Sequence, residues 1–251
     1  MEIPNNTSRR LEYDYTRRKV MNLDILFEDK HVIVVVKPPK VPSQSDKTDD
    51  LDMLTMVKEH LISKSNKSHE PYVGLIHRLD RPVGGLMVFT KTKEANAKLS
   101  EEIRTRRFKK EYLAVVCGEP TMDHEELRDF LIKLRTVNMS KVASEGVKNA
   151  KESILAYDCL DTTSSDEFGM LSLLNVKLKT GRHHQIRVQL SNAHLPLWGD
   201  NKYNKQFVKM KKWTQISLWA NKVSFRHPFK KTICEFESKP NKEFPFTLFD
   251  I

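Results

Sequence analysis

The stretch from His77 to Thr90, HRLDRPVGGLMVFT, decides the fold prediction for this chain. Its one carboxylate, Asp80, lies between two arginines, and two adjacent glycines and the apolar run 86–89 follow it. Such a run suits a short buried strand, and a tight bend before it would hold a charged side chain at a sheet edge. Two neighbouring cations favour the ionised carboxylate, which makes Asp80 a candidate nucleophile or general base. The simpler interpretation is a surface Asp80–Arg pair.

Further elements are predicted on both sides of this stretch. The run 32–36, VIVVV, is continuously apolar, so we expect a strand buried on both faces. We predict other strands at 23–27, 111–116, 154–157, 170–178, 216–226 and 232–236; helices after cap residues Asp50 and Thr92 and over 205–213; a strand or a helix over 186–190; a loop at 161–169; irregular structure over 119–150; and coil over 240–251. Leu51, Leu54, Val57 and Leu61 would form the apolar face of the first helix.

Composition and charge narrow the functional classes. The chain has 251 residues and a net charge of +10, and a surplus of this size favours a polyanionic partner. The alternative is a chain that is merely rich in lysine. No apolar run is long enough to span a bilayer, and the first twenty residues lack the apolar core of a secretory signal. We therefore expect a soluble, cytoplasmic protein, with an organelle still possible.

The cysteines and histidines do not indicate a metal site or a disulfide framework. Cys117, Cys159 and Cys234 are odd in number and widely spaced, so we expect three reduced, half-buried thiols. His183, His184 and His194 could suggest a metal, but adjacent side chains diverge and no carboxylate shares their spacing. The sequence therefore predicts no metal.

Three motifs together resemble those of one enzyme family. HRLDRPVGGLMVF resembles the signature of the RluA-type RNA pseudouridine synthases, usually HRLDxxTSGL, with Gly84 here in place of the usual Ser. The sequence 110–112, KEY, resembles the family's basic-x-Tyr motif, and 181–187, GRHHQIR, matches its Gly-Arg-x-His-Gln-Ile/Leu-Arg motif. The resemblance implies that a helix begins at about residue 186. The segment 195–203, LPLWGDNKY, resembles the turn that follows this helix, although Asn204 replaces a glycine that is common after the Tyr. The resemblance extends from about residue 23 to 246.

This resemblance implies a fold and a domain organisation. The family fold is a single α+β catalytic domain with a mixed, mostly antiparallel sheet flanked by helices and a central RNA-binding cleft. We assign residues 21–251 to this domain and residues 1–20 to a basic N-terminal extension. Because those twenty residues leave no room for one, we expect a member without the S4 RNA-binding domain that some relatives carry.

The resemblance also implies a reaction and its residues. A uridine in structured ribosomal or transfer RNA would be flipped out and isomerised to pseudouridine without a cofactor. Asp80 would be the nucleophile or base, Arg187 its ion-pair partner, and Tyr112 would stack on the target base. Arg78 would fill the space left by the flipped base. The expected RNA-contacting or motif-supporting residues are His77, Arg182, His184, Gln185, Arg106 and Arg107. The last two belong to a basic cluster at 104–110 whose alternative role is capping a helix.

Two other functions and several details stay open at this point. One alternative is a catalytically silent RNA-binding protein on the same fold, and the other is an unrelated basic hydrolase that uses Asp80 with His77. The sequence indicates no obligate protein partner and is compatible with a monomer. It does not identify the RNA, the uridine position, or whether Asp80 attacks C1′ or removes a sugar proton.

Overall fold

Two apolar strands organise the structure, a computed structural model that describes residues 22–48, 50–65 and 70–251. Strand β2 (Val32–Lys37) and strand β4 (Gly84–Thr90) are antiparallel neighbours and are buried along almost their whole length. Burial on both faces is what a continuous apolar run predicts, because neither face carries the alternating polar residues of a solvated strand. The expectation for both runs is confirmed.

Two helices cover the opposite faces of these strands. Helix α1 (Met53–Ser63) packs on the face that carries Ile33, and helix α2 (Lys93–Arg104) contributes Leu99 to the cluster around Val34 on the other face. Side chains alternate between the faces of a strand, so a single VIVVV run supplies both clusters. The stretch that carries Asp80 therefore leads directly into a strand that is buried along its whole length.

The described strands form one mixed sheet. Besides β2 and β4, its strands are β1 (Asp24–Glu28), β3 (Gly74–Leu75), β5 (Lys109–Cys117), β6 (His124–Leu134), β7 (Met139–Ala143), β8 (Lys151–Ser165), β9 (Gly169–Leu178), β10 (Leu218–Arg226) and β11 (Ile233–Glu237). The order is β1-β2-β4-β10-β5-β9-β8-β6-β7, with β3 also paired to β4 and β11 to β10. Of the described pairs, β10 with β4 alone is parallel. The α+β class with a mostly antiparallel sheet is confirmed.

The remaining helices are short. Helix α3 (Gln185–Asn192) begins within one residue of the expected position, and helix α4 (Lys205–Met210) is three residues shorter than the predicted helical stretch at 205–213. A single 3-10 turn at Phe246–Leu248 interrupts the predicted C-terminal coil. No helix of the described residues is long and apolar enough to cross a membrane.

Two local predictions are wrong at helix α1 and in the segment 119–150. Asp52, not Asp50, caps α1, because its carboxylate accepts the Thr55 amide at 3.1 Å, whereas Asp50 pairs with Arg81. The segment 119–150 contains β6 and β7. These strands lie at one edge of the sheet and alternate between exposed and half-buried positions, so they lack the apolar run on which our strand prediction depended.

The predicted loop at 161–169 is also mostly strand. Strand β8 continues to Ser165 and pairs there with Gly169, so only three residues form the connection. The Thr162 hydroxyl lies 2.9 Å from the Ser172 hydroxyl across the pair. Thr and Ser side chains that bond across a hairpin stabilise it without an apolar pattern, which is why composition alone predicted a loop here.

The glycine pair permits a close approach of β4 to β10. A Cβ on Gly85, which has φ of +114°, would lie 2.3 Å from the Ala220 carbonyl oxygen. A Cβ on Gly84 would lie 2.2 Å from the Trp219 ring. Both positions therefore need glycine for lack of space, and Gly85 also for its backbone conformation.

The predicted N-terminal extension, 1–20, lies outside the described residues. Cys117, Cys159 and Cys234 are unpaired and half-buried, as expected.

Candidate active site

Asp80 lies in the loop between β3 and β4, and side chains from distant parts of the chain hold this loop. The Ser43 hydroxyl accepts the Leu79 amide at 3.0 Å and donates to the Leu79 carbonyl at 2.7 Å. On the other side of Asp80, the Gln215 side-chain amide donates to the Pro82 carbonyl. Bonds on both sides fix the backbone of Asp80, and its side chain is still 28% exposed. The carboxylate is thus accessible and held in place.

A buried lysine provides a third anchor. Lys37, at the end of β2, donates from Nζ to the carbonyl oxygens of Pro38, Val41 and Arg81 at 2.9, 2.7 and 3.1 Å. Three acceptors match the three N–H groups of an ammonium. Burial lowers the pKa of Lys37 to about 7, and the negative charge of Asp80 acts in the opposite direction. Lys37 therefore ties the end of β2 to the loop that carries Asp80.

Arg187 joins Asp80 to a second, buried carboxylate. Its Nη1 lies 3.4 Å from Asp80 Oδ2, as the resemblance implied. Its shorter bonds, however, go to Asp200, from Nε to Oδ2 at 2.8 Å and from Nη2 to Oδ1 at 2.6 Å. The Asp200 side chain is fully buried, so this two-bond pair fixes the plane of the guanidinium and leaves Nη1 directed at Asp80.

His184 is the second contact of Asp80. Its Nε2 lies 3.5 Å from Asp80 Oδ2, and its Nδ1 lies 2.8 Å from the Tyr203 hydroxyl, which accepts the Ser140 amide at 2.7 Å. Burial, followed by the Arg187 charge, lowers the pKa of His184 to about 2, so the ring is neutral at pH 7. A neutral ring that accepts the Tyr203 proton at Nδ1 carries its own proton on Nε2, facing Asp80.

Tyr112 lies on β5, level with the glycine pair. It is opposite Ala220, which is itself opposite Gly85. Burial raises the pKa of Tyr112, and the Asp80 charge adds to the shift, so the phenol is protonated at neutral pH. The Asp80 loop leads into β4 at this glycine pair, so the sheet places Tyr112 next to the end of that loop.

The two arginines beside Asp80 in sequence do not have the role that the sequence suggested. Arg81 bonds to Thr48, Asp50 and the Lys40 carbonyl, and the Arg78 side chain is exposed. The cation in contact with the Asp80 carboxylate is instead Arg187. Adjacent residues in an irregular loop point in different directions, so sequence neighbours are poor guides to ion pairs.

His77 and Gln185 are positioned for support of the motifs rather than for RNA contact. His77 is buried, its Nε2 accepts the Val88 amide at 3.0 Å, and burial lowers its pKa to about 3. Gln185 is buried as well; it accepts the Arg182 amide at 2.9 Å and donates to the Ile154 carbonyl at 3.1 Å. Both side chains hold the backbone of their own motif.

Three of the predicted RNA-contacting residues are exposed: Arg182, Arg106 and Arg107. Arg106 has φ of 59° and follows the end of α2, where the Arg107 amide bonds to the Glu102 carbonyl at 2.8 Å. This backbone pattern ends the helix without using either side chain. The Arg107 guanidinium lies 4.0 Å from the Glu102 carboxylate, a weak ion pair at the limit of contact. Arg107 precedes Tyr112 by five residues, so their Cα atoms are at most about 18 Å apart.

Sequence reasoning missed several residues of this site: Lys37, Ser43, Asp200, Tyr203 and Gln215. Among the described residues, no group of three His, Cys, Asp or Glu side chains is placed to hold a metal ion. The available chemistry is that of one accessible carboxylate held between a guanidinium and a neutral imidazole, with a phenol nearby. Such a carboxylate can attack a sugar carbon as a nucleophile or remove a sugar proton as a base.

Comparison with known proteins gives consistent matches. A family model described as RNA pseudouridylate synthase matches residues 31–192. The chain is 28% identical over 215 residues to a Helicobacter pylori (strain J99) protein named as an uncharacterized RNA pseudouridine synthase, a match that covers 83% of this chain and 63% of that one. It is 33% identical over 183 residues to ribosomal large subunit pseudouridine synthase D of Nitrosomonas europaea, covering 73% of this chain and 50% of that one.

The chain thus spans less than two thirds of the length of both relatives. Among solved structures, human RNA pseudouridylate synthase domain containing 1 is similar, with a TM-score of 0.71 and 21% identity; the match covers 91% of this chain and 87% of that one. At this level of identity the structural match concerns the fold.

Proposed function

The chain belongs to the RNA pseudouridylate synthase family, and we propose that it isomerises uridine to pseudouridine within RNA. In this reaction the bond between N1 of uracil and C1′ breaks and a bond between C5 and C1′ forms. C5 loses a proton and N1 gains one. Composition and oxidation state do not change, so we propose that neither a cofactor nor a metal takes part.

The observation that supports this proposal best is the way Asp80 is held. Its loop is anchored by Ser43, Lys37 and Gln215, and its Oδ2 lies against Arg187, whose fork is already fixed by a buried Asp200. A pre-positioned carboxylate needs little reorganisation when it reacts. Asp80 would act at C1′ or on a sugar proton, and Arg187 would orient it.

We propose further roles for the residues around Asp80. A uracil stacked in RNA cannot reach this carboxylate, so the nucleotide must leave the stack. Arg78, which is exposed, would fill the vacated space, and Tyr112 would stack on the flipped base. The exposed Arg182 is a phosphate-binding candidate. His184, neutral and in contact with Asp80, would position the carboxylate together with Arg187.

The structure argues against a hydrolase that pairs Asp80 with His77. The Nε2 of His77 faces the Val88 amide at 3.0 Å in the interior, so it is already used as an acceptor. A silent RNA-binding protein stays as the second candidate function. We propose structured ribosomal or transfer RNA as the substrate, because a relative is named for the large ribosomal subunit, and a monomer acting in the cytoplasm.

The proposed reaction has a direct test. The purified protein, treated with a chelator and given no nucleotide, should release tritium from RNA labelled at C5 of uridine, because C5 loses its hydrogen. Mass spectrometry of nucleosides should show pseudouridine and no shortened RNA. RNA that is bound but never converted, across ribosomal and transfer RNA pools, would favour the silent binder. Activity that is lost on chelation and restored by zinc would contradict the metal-free reaction.

The basic cluster after α2 gives a prediction about salt. If Arg106 and Arg107 contact phosphates, replacing them should flatten the log-log dependence of affinity on salt by about one unit for each lost contact. Arg106→Gly suits the left-handed backbone, and Arg107→Ala completes the variant. The control is Arg104→Ala, because Arg104 is already paired with Glu101 at 2.6 and 2.7 Å. Equal slopes for the wild type and the double variant would leave the cluster with a structural role only.

A further inference from the structure

We propose that Trp213, with Lys40 on its ring, is a stacking site for an unpaired base of the RNA next to the target nucleotide. This inference rests on the proposed function and adds a second contact between the protein and a base. Three observations support it: the exposure of Trp213, its position relative to Asp80, and the charge of the segment that carries it.

Trp213 differs from the other two tryptophans in its exposure. Trp198 and Trp219 are 7% and 5% exposed and lie in the core, whereas Trp213 is 53% exposed. A single exposed apolar residue needs no explanation by itself. Trp213, however, already has an organised partner, because Lys40 Nζ lies 4.2 Å from its ring centroid. A ring with a cation on it and an accessible surface can add a base by stacking while the cation meets a phosphate.

The segment of Trp213 is bonded to both halves of the active site. Gln215, two residues along the chain, donates to the Pro82 carbonyl in the Asp80 loop. The side chain of Asn201, next to Asp200, donates to the Lys212 carbonyl at 2.8 Å and accepts the Thr214 amide at 3.2 Å. These bonds hold the backbone on both sides of Trp213.

Lys40 is connected to the active site in the same way. The Arg81 side chain donates from Nε to the Lys40 carbonyl at 3.2 Å, and Arg81 directly follows Asp80. A base stacked on Trp213 would therefore belong to a nucleotide close to the target nucleotide, whose sugar contacts Asp80.

The charge of this segment suits a polyanion. Residues 205–215 contain four lysines and no acidic residue, and Lys205, Lys209, Lys211 and Lys212 are exposed. Lysines beside an exposed aromatic ring are typical of sites that bind single-stranded nucleic acid, because the lysines contact the phosphates and the ring can stack on any base. RNA loops present unstacked bases, whereas a duplex does not, so the fitting ligand is a single-stranded loop.

Intrinsic fluorescence provides a specific test, because Trp213 alone among the tryptophans is substantially exposed. At low salt, oligouridylate should quench part of the fluorescence of the Asp80→Asn protein, which cannot turn over. Trp213→Phe should lose that quenching and keep its affinity within about 3-fold. Trp213→Ala should weaken binding on the order of 10-fold.

The chain offers a matched control for this substitution. Phe229 is 46% exposed, and Lys98 Nζ lies 3.9 Å from its ring centroid, so it has the same chemistry. It stacks on His31, at the opposite end of β2 from Lys37, which anchors the Asp80 loop. Phe229→Ala should therefore weaken RNA binding less than Trp213→Ala does.

The outcomes separate the stacking site from the reaction. Filter binding that shows a complex with no fluorescence quenching, or equal affinities for Trp213→Ala and Phe229→Ala, would overturn the stacking site. Quenching without any pseudouridine in the conversion test would retain the stacking site and refute the proposed reaction. Pseudouridine formation without quenching would support the proposed reaction and refute the stacking site.

Discussion

Replacing Asp80 with Asn is expected to abolish pseudouridine formation and to change RNA affinity by no more than a few-fold. Asn has the shape of Asp but is neither a nucleophile nor a base at neutral pH, so the rate should fall on the order of 10³-fold or more. The loop should keep its position, because Ser43, Lys37 and Gln215 hold backbone atoms and not the Asp80 carboxylate.

The measurements for this variant are the single-turnover rate and filter-binding affinity on one RNA. Asp46→Asn is the control, because it removes a carboxylate from the exposed loop that follows β2 and should leave the rate unchanged. Substantial pseudouridine formation by Asp80→Asn would show that this carboxylate is not the reacting group.

Replacing Arg187 with Met is expected to eliminate the reaction and also to destabilise the fold. The loss of activity follows from the contact with Asp80. The loss of stability follows from Asp200, whose buried carboxylate would lose both of its guanidinium bonds. Breaking a buried ion pair from one side costs about 3–5 kcal/mol. Arg187→Lys keeps the charge but not the fork, so it should be slow and partly stable.

A double variant separates the two effects of Arg187. Asp200→Asn keeps an oxygen for the Lys202 and Tyr203 amides but removes the unpaired charge, so Arg187→Met with Asp200→Asn should recover much of the lost stability and no activity. Thermal unfolding and single-turnover rates measure the two properties.

Arg182→Met is the control within the same motif, and it should weaken RNA binding at least as much as it slows the reaction. Weak RNA binding by Arg187→Met together with a normal rate at saturation would make Arg187 a phosphate ligand and contradict its proposed role of orienting Asp80.

The sequence predicted the central strands and the pair of Asp80 with Arg187 for different reasons. The strands follow from apolar runs, whose burial needs no knowledge of distant residues. The ion pair spans 107 residues and came only from the motif resemblance. Asp200 was not identified because its role depends on burial beside Arg187, and nothing in the local pattern of LWGDNKY distinguishes a buried acid from an exposed one in a turn.

Lys37 and the edge strands show two further limits of the sequence. A lysine at the end of an apolar run is normally exposed, so its burial against three carbonyl groups could not be anticipated. Strands β6 and β7 are stabilised by pairing with their neighbours in the sheet. The strand propensity of their residues is therefore a poor basis for predicting them. His77 was expected either to contact phosphate or to support its motif, and its ring accepts an interior amide, which fits the second role.

The contact between Gly84 and Trp219 has a consequence for how this chain could have diverged from the usual signature. A serine at position 84 would place its Cβ against the Trp219 ring. A smaller residue at position 219 would leave a void beside the Asp80 loop, and the Ser238 carbonyl would lose the hydrogen bond from the indole. We therefore expect either change alone to lower stability and the two positions to be epistatic. A change between Ser and Gly at position 84 would then be expected to go together with a change at position 219.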